Sequence, residues 1–452
     1  MRALVEFVAR PPGEVPGHGI DTARTAMVDT VGAALAGAAE RTVGILTEEL
    51  SPAGGPCTVW LGGRAPADRA ALLNGTAAHA LDYDDVDDLL IAHPSAVLVP
   101  AVLATAERAG AGGAVAVEAY WRGLVVMRAL AAGLGIGGHY GRGWHSTATL
   151  GAVAAAAASA TVLGLDADQA GHALGLAVSR AAGTRQNFGS MTKPLHAGLA
   201  AADGVLAAGL AARGFTAGRN QFDGPYGLLA LYGGGAPPTA SEREAQARAI
   251  AAALRDPSPA GLNVKLFPCC YATNAAADAA IELAPRVSPA DVAAVAVAVP
   301  ERGLQPLNAA MPQTGLEGKF SMAHVVACCL VDGRLGFDAF TDAAVARPEV
   351  RALAARVTSS ETLTAEARPG LTFAAEVSVT TRSGDTLRVR CDAPRGHADR
   401  PAGEAELLAK FADCVDFGGA EVPADLGARL HGLPERATVA RLFAAEHAGA
   451  RR

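Results

Sequence analysis

The first 250 residues repeat one pattern, in which apolar residues recur at helical spacing between short segments that contain glycine or proline. This periodicity predicts helices over residues 20–50, 101–108, 115–132 and 166–180. Half of all residues are hydrophobic but only 5% are aromatic, so alanine, leucine and valine must fill the core. Small side chains favour closely packed antiparallel helices. We therefore expect a large helical domain.

The pattern changes near residue 259, and the chain beyond it predicts strands rich in β-branched residues. The predicted strands lie at residues 292–299, 371–381 and 385–393. The last two flank a Ser383-Gly384 turn and predict a β-hairpin. Helical spacing persists at residues 275–283 and 321–330 and returns from about Pro401. The predicted fold is mostly α: a large all-α domain formed by residues 1–259 and 400–452, and a smaller α+β lid domain, residues 260–399, inserted into it.

An acidic cluster and two histidines stand together in residues 74–100, NGTAAHALDYDDVDDLLIAHPSAVLVP, within a weakly charged chain. If this stretch continues as a helix, His79, Asp82 and Val86 share one face. Neighbouring carboxylates repel each other, which raises the pKa of at least one unless a cation or a ligand lies between them. The helix is expected to end at His93, because a residue before proline disfavours the α region. We interpret this stretch as one wall of an active site; the alternative is a solvated helix face.

Two later segments carry further candidate residues. His145 precedes a long alanine-rich helix, where the positive end of the helix dipole lowers the pKa of an imidazole and favours the neutral base form. The same position attracts a substrate carboxylate. Lys193 precedes Pro194 in a loop rich in glycine and serine, and His196 opens the next helix. The structural alternatives are a capping histidine and a solvent-facing lysine.

Composition argues against several classes of function. The net charge of −7, without any basic run, argues against a nucleic-acid partner. The seven cysteines show no CxxC spacing, so we expect reduced thiols and no zinc or iron–sulfur site. The amino terminus lacks the pattern of a signal peptide. The longest apolar run, residues 150–165, is shorter than the roughly 20 residues that span a bilayer. We expect a cytoplasmic protein that does not contact a membrane.

Several separated motifs resemble the MmgE/PrpD family, which includes 2-methylcitrate dehydratases, cis-aconitate decarboxylases and an iminodisuccinate epimerase. Besides residues 74–100, these motifs are GWHSTATLGAVAAAA, TKPLHAGLAAADGVLAAGLAARGFTA, NVKLFPCCYATNAAADAAIEL, GKFSMAHVVACCLVDG and AKF at residues 409–411. They occur in the family's order over almost the whole chain. The resemblance implies a helical domain with a lid, a homodimer, and neither a metal nor an organic cofactor.

The resemblance also implies which residues line the active site. Carried over position by position from cis-aconitate decarboxylases, they are Asp82, His93, His145 and Lys193. Three positions depart from that enzyme's pattern. Its threonine is Val86 here, its histidine after a Phe-Pro pair is replaced by Cys270 or Asn274, and its lid tyrosine corresponds to His324. These differences weaken the case for decarboxylation.

The chemistry common to the family transfers a proton at a carbon beside a carboxylate. A cation must neutralise the charge that develops on the carboxylate oxygens while a neutral imidazole or a carboxylate acts as the base. Lys193 suits the first role, and Asp82 can orient an imidazole. The candidate bases are His93, His145 and His324, with no choice made among them. The predicted substrate-binding residues are Lys265, Lys319 and Arg185.

The leading hypothesis is a cofactor-independent dehydratase that acts on a hydroxylated di- or tricarboxylate such as 2-methylcitrate. The runner-up is an epimerase of an iminodisuccinate-like dicarboxylate, followed by a cis-aconitate decarboxylase. A helical scaffold without activity is the least attractive alternative, because the chain keeps all four of the carried-over residues together.

Overall fold

The computed structural model describes residues 2–51, 54–234, 238–308, 311–364 and 373–444. The chain divides into two units, one formed by Met1–Leu262 with Gly403–Arg452 and the other by Asn263–Ala402. The helices are, in chain order, α1 (Arg2–Val8), α2 (Gly17–Gly37), α3 (Arg41–Leu50), α4 (Ala67–Ala80), α5 (Ser95–Ala109), α6 (Gly113–Leu134), α7 (Ile136–Gly141), α8 (Ser146–Val162), α9 (Ala167–Val178), α10 (Thr192–Ala211), α11 (Leu228–Gly233), α12 (Ala240–Arg255), α13 (Asn274–Leu283), α14 (Gly315–Gly318), α15 (Met322–Asp332), α16 (Asp342–Val345), α17 (Pro348–Ala354), α18 (Glu404–Gly418) and α19 (Leu426–His431). The strands are β1 (Cys57–Thr58), β2 (Arg64–Ala65), β3 (Val292–Ala298), β4 (Val357–Ser360), β5 (Ala375–Thr381) and β6 (Thr386–Cys391).

The predicted fold class, mostly α with an all-α large domain, is wrong. The chain is 57% helical and contains two small sheets, so it is a mixed α/β protein. The first unit holds the antiparallel pair β1 and β2, in which Cys57 lies opposite Ala65. The residues before Gly62-Gly63 are β-branched and aromatic, which favours a strand. The two glycines favour the turn, because they adopt the positive φ angles of 115° and 85° that the turn requires. The helical pattern on either side concealed this short signal.

Close packing of three helices positions the residues of interest in the first unit. Helix α10 packs against α4 and α8, and glycine permits the short separation. A Cβ atom added at Gly198 would lie 2.2 Å from Thr76 Oγ1, and one added at Gly204 would lie 2.3 Å from Ala155 Cβ. These contacts bring the carboxyl end of α4 close to the amino ends of α8 and α10.

Helix α10 is also the one described helix that is long and apolar enough to cross a membrane by length and composition. In its most apolar 18-residue segment, 72% is buried inside the protein. Such burial is usual for the core helix of a globular domain, so the apolar composition of α10 is explained by packing.

The second unit contains a four-stranded sheet in the order β4-β3-β5-β6. Strand β5 is antiparallel to both of its neighbours, while β4 runs parallel to β3 at one edge. The predicted strand at 292–299 and the hairpin at Ser383-Gly384 are confirmed; residues 371–372, at the start of the predicted second strand, lie outside the described residues. Strand β4 was missed because it has four residues, none of them buried. The role of this unit as a lid stays a prediction.

Candidate active site

The acidic stretch leaves the helix earlier than predicted. Helix α4 ends at Ala80, and Asp82 has a φ of 54°, the left-handed conformation that glycine or asparagine usually takes after a helix. This conformation costs a residue with a side chain about 1 kcal/mol or more, so surrounding contacts must hold it. The predicted helix up to His93 is therefore wrong. Residues 81–94 form a loop closed by a bridge between Asp87 and Ala92.

The aspartates of this loop are buried except for Asp88, which is half-buried, and this excludes the solvated helix face. Asp84 and Asp85 are 0% exposed and Asp87 is 2% exposed. Asp87 accepts a hydrogen bond of 2.7 Å from Arg128 Nε, and Asp85 accepts one of 3.3 Å from the backbone N–H of Ser95. Burial raises the pKa of Asp85 well above its ordinary value. The direction agrees with the expectation of a raised carboxyl pKa, but burial is a larger cause than the repulsion between neighbouring carboxylates on which that expectation rested.

Asp84 connects two imidazoles, and Asp82 links them to a lysine. His79 Nδ1 lies 2.9 Å from Asp84 Oδ2, and His93 Nδ1 lies 3.3 Å from the same oxygen. His93 Nε2 lies 3.7 Å from Asp82 Oδ1, and the Lys193 ammonium donates a hydrogen bond to that atom. Burial lowers the pKa of His79 to about 4. Burial acts to raise the pKa of Asp84, but interaction with His79 and His93, including their hydrogen bonds, outweighs it and holds that pKa well below its usual range.

His145 and His196 form a second pair of imidazoles on the other side of His79. Their Nδ1 atoms lie 3.1 Å apart, so one of the two must carry the shared proton. The centroids of the His145 and His79 rings lie 6.0 Å apart. His145 is 1% exposed, and burial, assisted by the charges of its neighbours, lowers its pKa well below the usual value. The direction agrees with the predicted lowering, but the causes are burial and the neighbouring charges and not the helix dipole on which the prediction rested.

Phe188 connects the second pair to the lysine. Its ring meets the His145 ring edge-on, with the centroids 5.0 Å apart, and the Lys193 Nζ atom lies 5.3 Å from the Phe188 centroid. Lys193 is 6% exposed and lies in the first turn of α10 rather than in a loop, so the alternative of a solvent-facing lysine is excluded. A buried cation, the amino termini of α5, α8 and α10 and imidazoles with lowered pKa values therefore lie in one cluster. Such an arrangement stabilises an anion.

Sequence reasoning gave no functional role to three members of this cluster: His79, Asp84 and His196. Each carried a usable signal. His79 precedes Asp82 by three residues at the end of a helix, Asp84 follows Asp82 by two residues in a turn, and His196 lies one helical turn after Lys193. Their partners come from different helices, so spacing alone could not pair them.

Of the other predicted residues, Arg185 belongs to the first unit and the rest belong to the second. The Arg185 guanidinium lies 3.7 Å from the Tyr140 ring centroid and 5.7 Å from that of Phe188, close to the cluster. The remaining three belong to the second unit and are buried: Lys265, Lys319 and His324. His324 Nε2 lies 2.8 Å from the Ala339 carbonyl oxygen. The participation of these three in the site stays a prediction.

Four side chains of the cluster could ligate a metal by type. One ligand atom from each of His79, Asp82, Asp84 and His93 lies within 4.8 Å of the others. However, the Lys193 ammonium already bonds to Asp82, and it would repel a divalent ion at this distance. The chemistry of the donor set thus favours an internal cation over a metal.

We therefore expect metal analysis of the purified protein to find no stoichiometric iron or zinc. Treatment with a chelator should leave turnover unchanged, whereas Lys193→Met, which removes the competing ammonium, should allow weak zinc binding at the four side chains. Stoichiometric zinc in the wild-type protein, with activity lost on chelation and regained on addition of zinc, would contradict this expectation.

Comparisons with known proteins agree with the motifs. Sequence models of the MmgE/PrpD N-terminal and C-terminal domains match residues 2–241 and 267–427. The chain is 27% identical over 421 residues to a cis-aconitate decarboxylase of Homo sapiens, covering 88% of this chain and 84% of that protein. It is 28% identical over 367 residues to that of Mus musculus, covering 77% and 72%. It is 26% identical over 428 residues to that of Aspergillus terreus, covering 88% and 85%.

Proposed function

This chain belongs to the MmgE/PrpD family, and from that premise we propose that it is a lyase that removes water from a hydroxylated di- or tricarboxylate such as 2-methylcitrate. The observation that carries the proposal is the buried imidazole of His145, whose pKa burial lowers, in the same cluster as the Lys193 ammonium, with Phe188 in contact with both. A base and a cation placed together are what proton removal beside a carboxylate requires.

The proposed elimination uses the cluster as follows. His145 takes the proton from the carbon beside a carboxylate, and Lys193 stabilises the negative charge that develops on the carboxylate oxygens. The carbon–oxygen bond then breaks, a double bond forms, and the leaving hydroxide takes up a proton and departs as water. His93 is the proposed proton donor, because it lies between two carboxylates, Asp82 and Asp84, which favour a positively charged neighbour.

Decarboxylation of cis-aconitate is the second candidate, favoured by the names of the similar proteins. It also needs proton transfer to carbon and a cation near the carboxylates, so the same groups could serve. Three positions argue against decarboxylation, because they differ from the pattern of cis-aconitate decarboxylases. Val86 replaces a threonine and has no hydroxyl, Cys270 or Asn274 replaces a histidine, and His324 replaces a tyrosine. Epimerisation of an iminodisuccinate-like dicarboxylate remains the third candidate. A homodimer and a cytoplasmic location form part of the proposal.

Proton NMR in D2O distinguishes these reactions. The protein is incubated in turn with 2-methylcitrate, cis-aconitate and an iminodisuccinate-like dicarboxylate. Dehydration produces an alkene signal from the hydroxy acid, decarboxylation turns cis-aconitate into itaconate, and epimerisation only exchanges the α-proton and inverts its carbon. We expect the alkene signal. Itaconate without any alkene from the hydroxy acid would replace our proposal by the second candidate.

A further inference from the structure

Lysine is rare in this chain, and every lysine is buried. Four of the 38 basic residues are lysines, Lys193, Lys265, Lys319 and Lys410, and they are 6%, 0%, 5% and 5% exposed. Lysine is ordinarily among the residues least often buried, and arginine serves at every exposed basic position here. The chain therefore keeps lysine only at enclosed positions, where a compact ammonium fits and a planar guanidinium differs in shape and donor geometry. Lys410 is the one of the four without a role so far.

Lys410 contacts the loop of the candidate active site. Lys410 lies on α18, in the carboxyl-terminal segment of the first unit. Its Nζ donates a hydrogen bond of 2.5 Å to Asp29 Oδ1 on α2. The same ammonium donates a bond of 2.8 Å to the carbonyl oxygen of Tyr83 and lies 3.8 Å from the centroid of the Tyr83 ring. Tyr83 stands between Asp82 and Asp84, the two carboxylates that meet His93.

The backbone at this point needs such a contact. Asp82 is in the left-handed conformation although it has a side chain, and a residue in that region persists only when its surroundings hold it. Glycine would adopt the conformation more easily but could not bond to Lys193. The Tyr83 carbonyl belongs to the peptide unit that joins Tyr83 to Asp84, so the bond from Lys410 restrains the backbone that carries Asp84. The contact of the ammonium with the Tyr83 ring restrains Tyr83 itself, which follows Asp82 directly.

We propose that Lys410 is a positioning residue, which holds the Tyr83 carbonyl and thereby keeps Asp82 and Asp84 aimed at His93 and Lys193. The expected effect on kcat rests on the proposed function, whereas the expected displacement of the aspartates and imidazoles does not. A buried ion pair can often be replaced by neutral groups without loss of stability. The bond to the Tyr83 carbonyl is the part that a neutral replacement without a donor cannot supply.

The test uses the double variant Lys410→Met with Asp29→Asn, which removes the cation without leaving a buried carboxylate charged and alone. Its matched control is Arg122→Met with Glu118→Gln. Arg122 is likewise buried, pairs with Glu118 on its own helix, and donates to backbone carbonyls, here those of Val8, Arg10 and Pro11.

Two measurements are made on both double variants: kcat and KM with the acid that the wild-type protein turns over, and the 15N-resolved NMR signals of the imidazoles without substrate. We expect the Lys410 variant to lose about 10- to 100-fold in kcat, as displaced catalytic groups do, with KM changed less than about threefold. The signals of His79 and His93 should shift, and the control should match the wild type in both measurements.

Wild-type kcat and unshifted imidazole signals in the Lys410 variant would overturn the proposal. So would an equal loss of kcat in the control, or a Lys410 variant that does not fold, because Lys410 would then serve stability alone. If the wild-type protein turns over none of the acids, the proposed function fails by itself. The imidazole signals then decide the role of Lys410 without any substrate.

Discussion

Replacing Lys193 by methionine is expected to lower kcat by about 10²- to 10³-fold, the usual cost of removing one group that stabilises charge in a transition state. Methionine keeps much of the length of the side chain but has no ammonium. The ammonium is buried, bonds to Asp82 and lies next to the aromatic ring that contacts His145. It is therefore the group best placed to meet a carboxylate that becomes more negative as a proton leaves the neighbouring carbon.

The measurement is steady-state turnover of the substrate that the NMR assay identifies, with kcat and KM determined separately. An effect on kcat with KM nearly unchanged would indicate an interaction made in the transition state, whereas a rise in KM alone would indicate substrate binding. Arg180→Met is the matched control: Arg180 pairs with Asp203 on the same helix as Lys193, but its side chain is 58% exposed. We expect that variant to keep wild-type kcat. A Lys193 variant with wild-type kcat would remove this residue from the mechanism.

Loss of Lys193 should also affect the loop. Breaking a buried pair by removing one partner commonly costs about 3–5 kcal/mol, since the other charge is left uncompensated. Asp82 is 5% exposed and already holds an unfavourable backbone conformation. Folding of the variant must therefore be checked by circular dichroism before its kcat is interpreted. The variant Lys193→Arg keeps the positive charge but changes the geometry of the donor. Comparing it with Lys193→Met separates the effect of the charge from the effect of the geometry.

Periodicity predicted the parts of the fold whose sequence signal is local. The alanine-rich α8 after His145 and the hairpin around Ser383-Gly384 follow from helical spacing and from a turn pair, so both could be predicted from residues close together in the chain. The β1 and β2 pair and the edge strand β4 consist of two to four residues. Segments this short carry too few alternating positions to stand out from the helical pattern around them.

Sequence reasoning assigned four residues of the cluster but neither the other three nor the arrangement that joins them. Asp82, His93, His145 and Lys193 lie in one cluster, although the helix that was expected to carry Asp82 to His93 does not exist. Burial of the aspartates could not be inferred, because a run of acidic residues on a surface helix has the same sequence pattern. The loop lies beside the packed helices α4, α5 and α10, and residues from elsewhere in the chain bond to it: Arg128 to Asp87 and Lys410 to the Tyr83 carbonyl.

The pH dependence of turnover should report the low pKa of the base. An ordinary imidazole loses half of its neutral form at about pH 6.5, and the pKa of His145 lies well below that because of burial. Lowering the pH through 6.5 therefore leaves the base neutral, so we expect kcat to stay flat there and to decline only at more acidic pH. An inflection of kcat near pH 6.5 would indicate a solvent-exposed imidazole as the base instead.

His145→Gln is expected to lower kcat by about 10²-fold or more, within the range that general base catalysis contributes. Glutamine can still bond to His196 but cannot accept a proton from carbon, so binding should survive while proton removal fails. His172→Gln is the matched control, because His172 only accepts a bond of 3.0 Å from the Ala217 N–H, away from the cluster. Deuterium exchange at the α-carbon is measured together with turnover. Since exchange needs only proton removal, a His145 variant that still exchanges at the wild-type rate would show that the base is another group, and His93 would be the next residue to test.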